Sequence, residues 1–337
     1  MSLNRRKKNL NSERWQICTG LALVVLVAAA IFFVQLGQCQ LWDRDEPRNA
    51  GCAAEMMQRG DWVVPIFNGE LRYQKPVMLY WLMMAAYQMF GISEWSARFW
   101  SALMGVGSVA LTFGIARRLF DHATAVLSGV ALASSVMFIV ASRAATPDAL
   151  LIFFSTAAIF AFVMGCVPRK ATSDSPTASF LTDFRKMKFR WLFLMGTSMG
   201  LGMLSKGPIG FLMPMAIIGM FLLLIRQTEF YSGGGQGTSK LLALVKPFHP
   251  VHFVKTTLVM RPFTLALIAL AIALPWYIWV GIRTEGDFPR IFFLTEHLGR
   301  STVAFENHSG GVWFYPCLLY TSPSPRDLST SRMPSSA

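Results

Sequence analysis

Apolar residues fall in long blocks along this chain, and the polar residues gather between them. Crossing the hydrocarbon core of a bilayer takes about 20 mostly apolar residues at about 1.5 Å of rise each. The first such block is Ile17–Leu36, preceded by Arg5, Arg6, Lys7, Lys8 and Arg14. It is longer than the apolar region of a secretory signal peptide and lacks a convincing small-residue cleavage site, so it reads as an uncleaved span. Further spans are expected at 97–116, 122–142, 149–167, 191–204, 208–225 and 262–282; the 191–204 block is short and Gly-rich. Residues 77–90 are apolar but too few to cross, which suits a helix at the membrane interface.

The charged residues orient these blocks. With the N-terminus in the cytoplasm, seven alternating spans leave 1–16, 117–121, 168–190 and 226–261 inside. These segments hold five, two, six and five Lys or Arg, so each obeys the positive-inside rule. Shifting the count by one span would put those basic segments outside. The first outer loop, 37–96, instead carries Asp43, Asp45, Glu46, Glu55, Asp61, Glu70 and Glu94 against five basic residues. The expected organisation is a basic cytoplasmic N-terminus (1–16) followed by one membrane domain (17–316).

Composition supports this reading. The chain is 53% hydrophobic and 15% charged, against about a quarter charged in a soluble domain. That excludes a disordered chain, a coiled coil and a disulfide scaffold. The net charge of +13 is what basic cytoplasmic loops produce, so no nucleic-acid partner is expected. Cys39 and Cys52 share the outer side, where a disulfide and two free thiols both fit. The last 21 positions, 317–337, are Ser- and Pro-rich without periodicity. CLLYTSPSPRD resembles a translated sequencing-library adapter, and Ser331–Ala337 resembles that adapter's distal end. This tail is expected not to be native, with the natural chain truncated near Pro316.

Candidate chemistry lies in the outward segments. Asp43, Asp45 and Glu46 put three acids within four residues of each other, directly after a span. Such a cluster repels itself, binds a cation, or holds one member protonated. Pro47 and the helix expected over 48–57 offer a competing role, because acids stabilise a helix N-terminus. Lys75 precedes Pro76 and would present an ammonium to phosphate or to lipid headgroups. Lys206 sits between two apolar blocks and needs a partner, while Gly207-Pro208 opens a helix whose N-terminus favours an anion. Arg143 to Asp148 and Glu296-His297-Leu298-Gly299-Arg300 complete the set.

The run WDRDEPRNAGCAAEMMQRGDWVVPIFNGELRYQKPVMLYWLMMAAYQMFG resembles the first outer loop of GT-C membrane glycosyltransferases, notably lipid A aminoarabinose transferases and protein O-mannosyltransferases. The order of Arg143…Asp148, Lys206-Gly207-Pro208, Leu274-Pro275-Trp276-Tyr277 and Glu296-His297…Arg300 agrees with it, over roughly residues 15–316. The resemblance implies an all-α polytopic GT-C bundle with interfacial helices in a large first outer loop. It implies a sugar donor on polyprenyl phosphate and transfer with inversion to a lipid A, protein or glycan acceptor at the outer face of the inner membrane. Asp45 matches the carboxylate proposed in the family as general base or acceptor-positioning group, with Glu46 beside it as a second catalytic candidate. Lys75 would hold the departing phosphate, with Arg48, Arg143, Lys206 and Arg300 as further cations, Asp148 as a second outer acid and His297 as a substrate hydrogen-bonding group. Relatives often carry Glu before the Lys-Pro pair and some use it on a metal; here Gln74 is a poorer ligand, so no metal or other cofactor is expected to be required. Two competing readings remain: a lipid-linked-sugar flippase, and a scaffold without chemistry.

Overall fold

The computed structural model describes residues 2–42, 45–167, 184, 187–225 and 249–299, with the side chains of 2–14, 225, 297 and 298 left aside. The chain divides into two units, Met1–Pro289 and Arg290–Ala337, so the division falls at 289 within the domain expected to run to 316. The first unit contains α1 (Ser2–Phe33), α2 (Asp45–Arg59), β1 (Ile66–Phe67), β2 (Glu70–Leu71), α3 (Met78–Phe90) and α4 (Glu94–Leu119). It continues with α5 (His122–Ser134), α6 (Val136–Arg143), α7 (Asp148–Cys166), α8 (Phe189–Lys206), α9 (Ile209–Ile225), α10 (Pro250–Val259) and α11 (Pro262–Arg283). A short turn of helix, Asp287–Arg290, follows. The described part of the second unit is a π-helix, Ile291–Gly299, in which Phe292 packs edge-on against Phe293.

Among the described residues, four helices are long and apolar enough to cross a membrane: Trp15–Phe33 within α1, α4, α7 and α11. Helices α5 and α6 form a fifth such element as a pair bent by 65°. The blocks expected at 191–204 and 208–225 are helical, as α8 (18 residues) and α9 (17 residues). At ~27 and ~26 Å they are shorter than the ~30 Å hydrocarbon core. The chain is an all-α multi-pass membrane protein.

Among the described residues, two apolar cores hold the bundle. One joins α1, α4, α5 and α6 through Phe32, Val106, Val109, Phe113, Ala125 and Phe138. The other joins α7, α8, α9 and α11 through Phe162, Met195, Met199, Leu222, Leu265 and Ala269. Lipid tails are as apolar as these side chains, so close packing rather than water exclusion binds the helices together. The α8–α9 hairpin shows how tight that packing is. Gly207 ends α8 with φ +78, a conformation other residues rarely adopt. A Cβ on Gly210 would collide with the Gly202 carbonyl. The start of α4 is set locally, by a reciprocal cap in which Ser93 accepts from the Ser96 N–H and Ser96 accepts from the Ser93 N–H.

The long loop after α1 is a compact layer. A two-residue hairpin pairs Ile66 with Leu71 and Phe67 with Glu70. Its corner is Asn68-Gly69, both at positive φ, and the Glu55 carboxylate accepts the Asn68 N–H at 2.8 Å. The helix expected at the interface, α3, buries Leu79, Tyr80, Met83, Met84 and Tyr87. Only its tip, with Met89, Phe90 and nearby Ile92, is exposed. Cys39 is exposed and Cys52 buried, and both are free thiols.

Candidate active site

Helix α2 begins at Asp45, where a carboxylate faces the unpaired N–H groups of the first turn. Lys75 reaches this end from the segment between β2 and α3, its Nζ 3.9 Å from Asp45 Oδ2. A second ion pair joins the last residue of α8 to the first of α7: Lys206 Nζ donates to Asp148 Oδ1. Lys75 senses both acids and both nearby cations. Burial pushes its ammonium below the ordinary lysine value; Asp45 and Asp148 oppose that push, while Lys206 and Arg72 add to it. The two pairs therefore form one electrostatic cluster, with Asp45 half exposed and Lys75 less so. Arg48 stands one turn after Asp45, half-buried and without an ion pair among the described residues.

Glu46 departs from the catalytic role expected beside Asp45. Its carboxylate accepts from Arg98 Nε at 3.0 Å and Nη2 at 2.8 Å, from the Ala145 N–H at 2.6 Å and from the Trp42 N–H at 2.6 Å. Its side chain is 5% exposed. Burial raises its proton affinity, but the Arg98 hydrogen bond, the two backbone donors and the Arg98 charge together hold the carboxyl below its usual range. These contacts tie the start of α2 to Arg98 of α4, to Trp42 and to Ala145, so the carboxylate braces the outer layer.

Arg143 also departs from expectation. Rather than waiting for a phosphate, its guanidinium donates to the carbonyls of Ile31, Val34 and Gln35 at 2.7, 2.8 and 3.3 Å. These carbonyls lie in the last turn of α1 and the turn that follows it, where the helical ladder runs out. Arg98 satisfies the next ones, donating to Leu36, Cys39 and Gln40 at 3.0, 2.8 and 2.9 Å. The sequence reading missed Arg98, because the acceptors of such a cap are backbone atoms without a side-chain signature.

Asp43 and Arg300 lie outside the described residues, as does the 317–337 tail, and the His297 side chain does too. Gln74 keeps a buried Oε1 without a hydrogen-bond partner among the described residues. No three of His, Cys, Asp and Glu converge as a metal site among the described residues. The first outer loop and the Leu274-Pro275-Trp276-Tyr277 motif meet in one structural contact: Trp276 Nε1 donates to the Val63 carbonyl at 3.1 Å. Tyr277 Oη donates to the Met203 carbonyl at 3.2 Å, tying α11 to α8.

The helical membrane bundle carries an acid–lysine cluster at its helix ends, and its likeness to a solved bacterial relative makes it a polytopic protein of the GT-C class. The sequence model of the dolichyl-phosphate-mannose-protein mannosyltransferase family matches residues 16–284, and the chain belongs to that family. It is 26% identical over 302 residues to an undecaprenyl phosphate-alpha-4-amino-4-deoxy-L-arabinose arabinosyl transferase of Yersinia pestis, covering 89% of this chain and 47% of that one. The crystal structure of ArnT from Cupriavidus metallidurans bound to undecaprenyl phosphate superposes with a TM-score of 0.62 at 28% identity, over 88% of this chain and 47% of that one. The Saccharomyces cerevisiae Pmt1-Pmt2 complex bound to the sugar donor shares the fold, with a TM-score of 0.52 at 18% identity over 78% of this chain and 33% of that one. The chain spans about half the length of the relatives it matches.

Proposed function

We propose that this chain carries the catalytic end of a glycosyltransferase that moves a sugar from polyprenyl phosphate to an acceptor hydroxyl or phosphate on lipid A, protein or glycan. The reaction takes place at the extracytoplasmic face of the cell (inner) membrane, with the N-terminus in the cytoplasm. The observation that carries this reading is the Asp45–Lys75 contact at 3.9 Å, set beside the Lys206–Asp148 pair. A base and cations in one cluster are what displacement at a sugar phosphate requires.

Asp45 takes the proton from the acceptor hydroxyl as that oxygen bonds to the anomeric carbon. The bond from the anomeric carbon to the phosphate oxygen breaks on the opposite face, so the configuration inverts. The electron pair leaves on the lipid phosphate, whose growing charge Lys75 and Lys206 stabilise. Asp148 holds Lys206 in place, and Arg48 stands one turn along α2 from the base. No step needs a metal. A flippase would move the same lipid, but the charges here sit at helix ends rather than along a path through the spans.

Transfer of labelled sugar from undecaprenyl- or dolichyl-phosphate donors, measured in membranes, tests the proposal. Asp45→Asn is expected to lower kcat by about 10²–10⁴-fold. Unchanged transfer in that variant would remove Asp45 as the base. Absence of transfer with every donor would overturn the activity itself.

A further inference from the structure

Asn49 lies on the first turns of α2, fully buried, and both ends of its amide are engaged. Its Nδ2 donates to the Ala145 carbonyl at 3.0 Å, and its Oδ1 accepts from Arg72 Nη2 at 2.9 Å. A carbonyl only accepts and a guanidinium only donates, so the two partners fix the orientation of the amide.

Those partners belong to the two halves of the charged cluster. Arg72 precedes Lys75 by three residues, and Ala145 precedes Asp148 by three. Arg72 is itself buried and anchored to α3, its Nε donating to Tyr80 Oη at 2.9 Å. Ala145 is fully buried, and its N–H is held by Glu46 Oε1 at 2.6 Å. Glu46 and Asn49, three apart on one face of α2, thus grip both backbone groups of Ala145. Among the described residues, Asn49 is the side chain that bonds the Lys75 segment and the Asp148 loop together.

We propose that Asn49 is a positioning residue. By holding Arg72 and Ala145 at once, it sets the separation of the Asp45–Lys75 and Lys206–Asp148 pairs, and with it the fit of a lipid phosphate between them. This rests on the transfer reaction proposed above. Asn49 contacts no substrate; it acts through the two segments it joins. The need for such a residue is geometric, since a misplacement of about 1 Å can cost about 100-fold in rate.

The test uses purified protein in lipid nanodiscs, with Asn49→Asp and Asn49→Leu beside wild type. Asn49→Asp keeps the acceptor for Arg72 and puts an oxygen against the Ala145 carbonyl, so it breaks the bond to the Asp148 loop alone and leaves Glu46 on the Ala145 N–H. Asn49→Leu removes both Asn49 bonds and leaves Arg72 on Tyr80 and Ala145 on Glu46. The readouts are Kd for undecaprenyl phosphate, donor KM, kcat and the thermal midpoint. A merely structural residue would reduce the amount of folded protein and leave Kd and KM of the remainder unchanged. Positioning predicts that Asn49→Asp weakens undecaprenyl phosphate binding about tenfold or more and lowers kcat per folded molecule. Kd and KM within twofold of wild type in folded Asn49→Asp would overturn the inference, even if Asn49→Leu does not fold. Wild type that binds undecaprenyl phosphate but transfers no sugar would overturn the activity alone, and the Kd comparison would still decide the role of Asn49. Wild type that binds no undecaprenyl phosphate would overturn both.

Discussion

Trp276, inside α11, donates its indole N–H to the carbonyl of Val63, a residue 213 positions earlier, at 3.1 Å. Asp61 reinforces the joint: its Oδ1 accepts the N–H groups of Val63 and Val64, and its Oδ2 lies 3.2 Å from Arg283 at the end of α11. The loop that supplies Asp45 and Lys75 is thereby fastened to a membrane span. Trp276→Phe keeps a ring against Phe288 and leaves the Val63 carbonyl unpaired. The expected loss is about 1–3 kcal/mol, seen as a lower thermal midpoint and faster amide exchange around Val63. Unchanged exchange there would mean the bond does not hold the loop.

Glu46 and Arg98 make a pair with side chains 5% and 7% exposed. Removing one partner leaves a buried charge, so Arg98→Leu is expected to cost about 3–5 kcal/mol. The pair also makes stability depend on pH. The folded Glu46 carboxyl titrates below its ordinary value, so between the two values the unfolded chain binds more protons. Its contribution is complete above the unfolded value, about 4.3, and is lost as pH falls through the folded one. Thermal midpoints followed from pH 7 to 3 should fall more steeply in wild type than in Glu46→Gln. Parallel curves would contradict this.

Lys75 should trade stability for function. Its folded value lies below that of an ordinary lysine, chiefly through burial. Stability therefore rises with pH between those two values, and at neutral pH the charge works against folding. Lys75→Met is expected to leave the thermal midpoint equal or higher while kcat/KM falls by about 10²–10³-fold. A variant that lost stability and kept its activity would reverse the assignment.

Arg143 and Lys206 should separate in opposite directions. Arg143→Gln strips the cap from the end of α1 and should lower the thermal midpoint, by about 1–3 kcal/mol of stability, with Kd for undecaprenyl phosphate unchanged. Lys206→Met should weaken that Kd by about tenfold or more with a smaller effect on stability. Both are read from one titration and one melt per variant.

Transfer is expected to persist in excess EDTA, because position 74 offers a neutral amide and Asp45 pairs with a lysine. Loss of activity on chelation, restored by one divalent cation, would show that the donor set is completed by residues beyond those described.

Much of the fold was readable along the chain. The apolar blocks that became α1, α4, α7 and α11 follow from length and hydropathy, and the break between α5 and α6 lies inside a block that reads as continuous. The Asn68-Gly69 corner carries its own signal, two residues suited to positive φ, yet the hairpin it makes was not anticipated. Lys206 stood out because a charge between apolar blocks needs a partner, Asp45 because it sits in an acid cluster after a span, Lys75 because it precedes Pro76, and Asp148 through the family resemblance. Asn49 did not, since an amide in a short helix looks like any other surface residue until its burial is known.

The sequence by itself determined a membrane bundle, an acidic outer loop and the charges beside it, because hydropathy and unpaired charge are properties of local segments. Only the tertiary structure decided which charges brace the protein and which pair with one another at the helix ends. Glu46 meets Arg98 across 52 positions, and Arg143 meets the Ile31 carbonyl across 112. Every residue offers a carbonyl, so no pattern of side chains could mark the ones these arginines would find. Asp45 and Lys75 are left facing each other because those neighbouring charges were already satisfied by the fold.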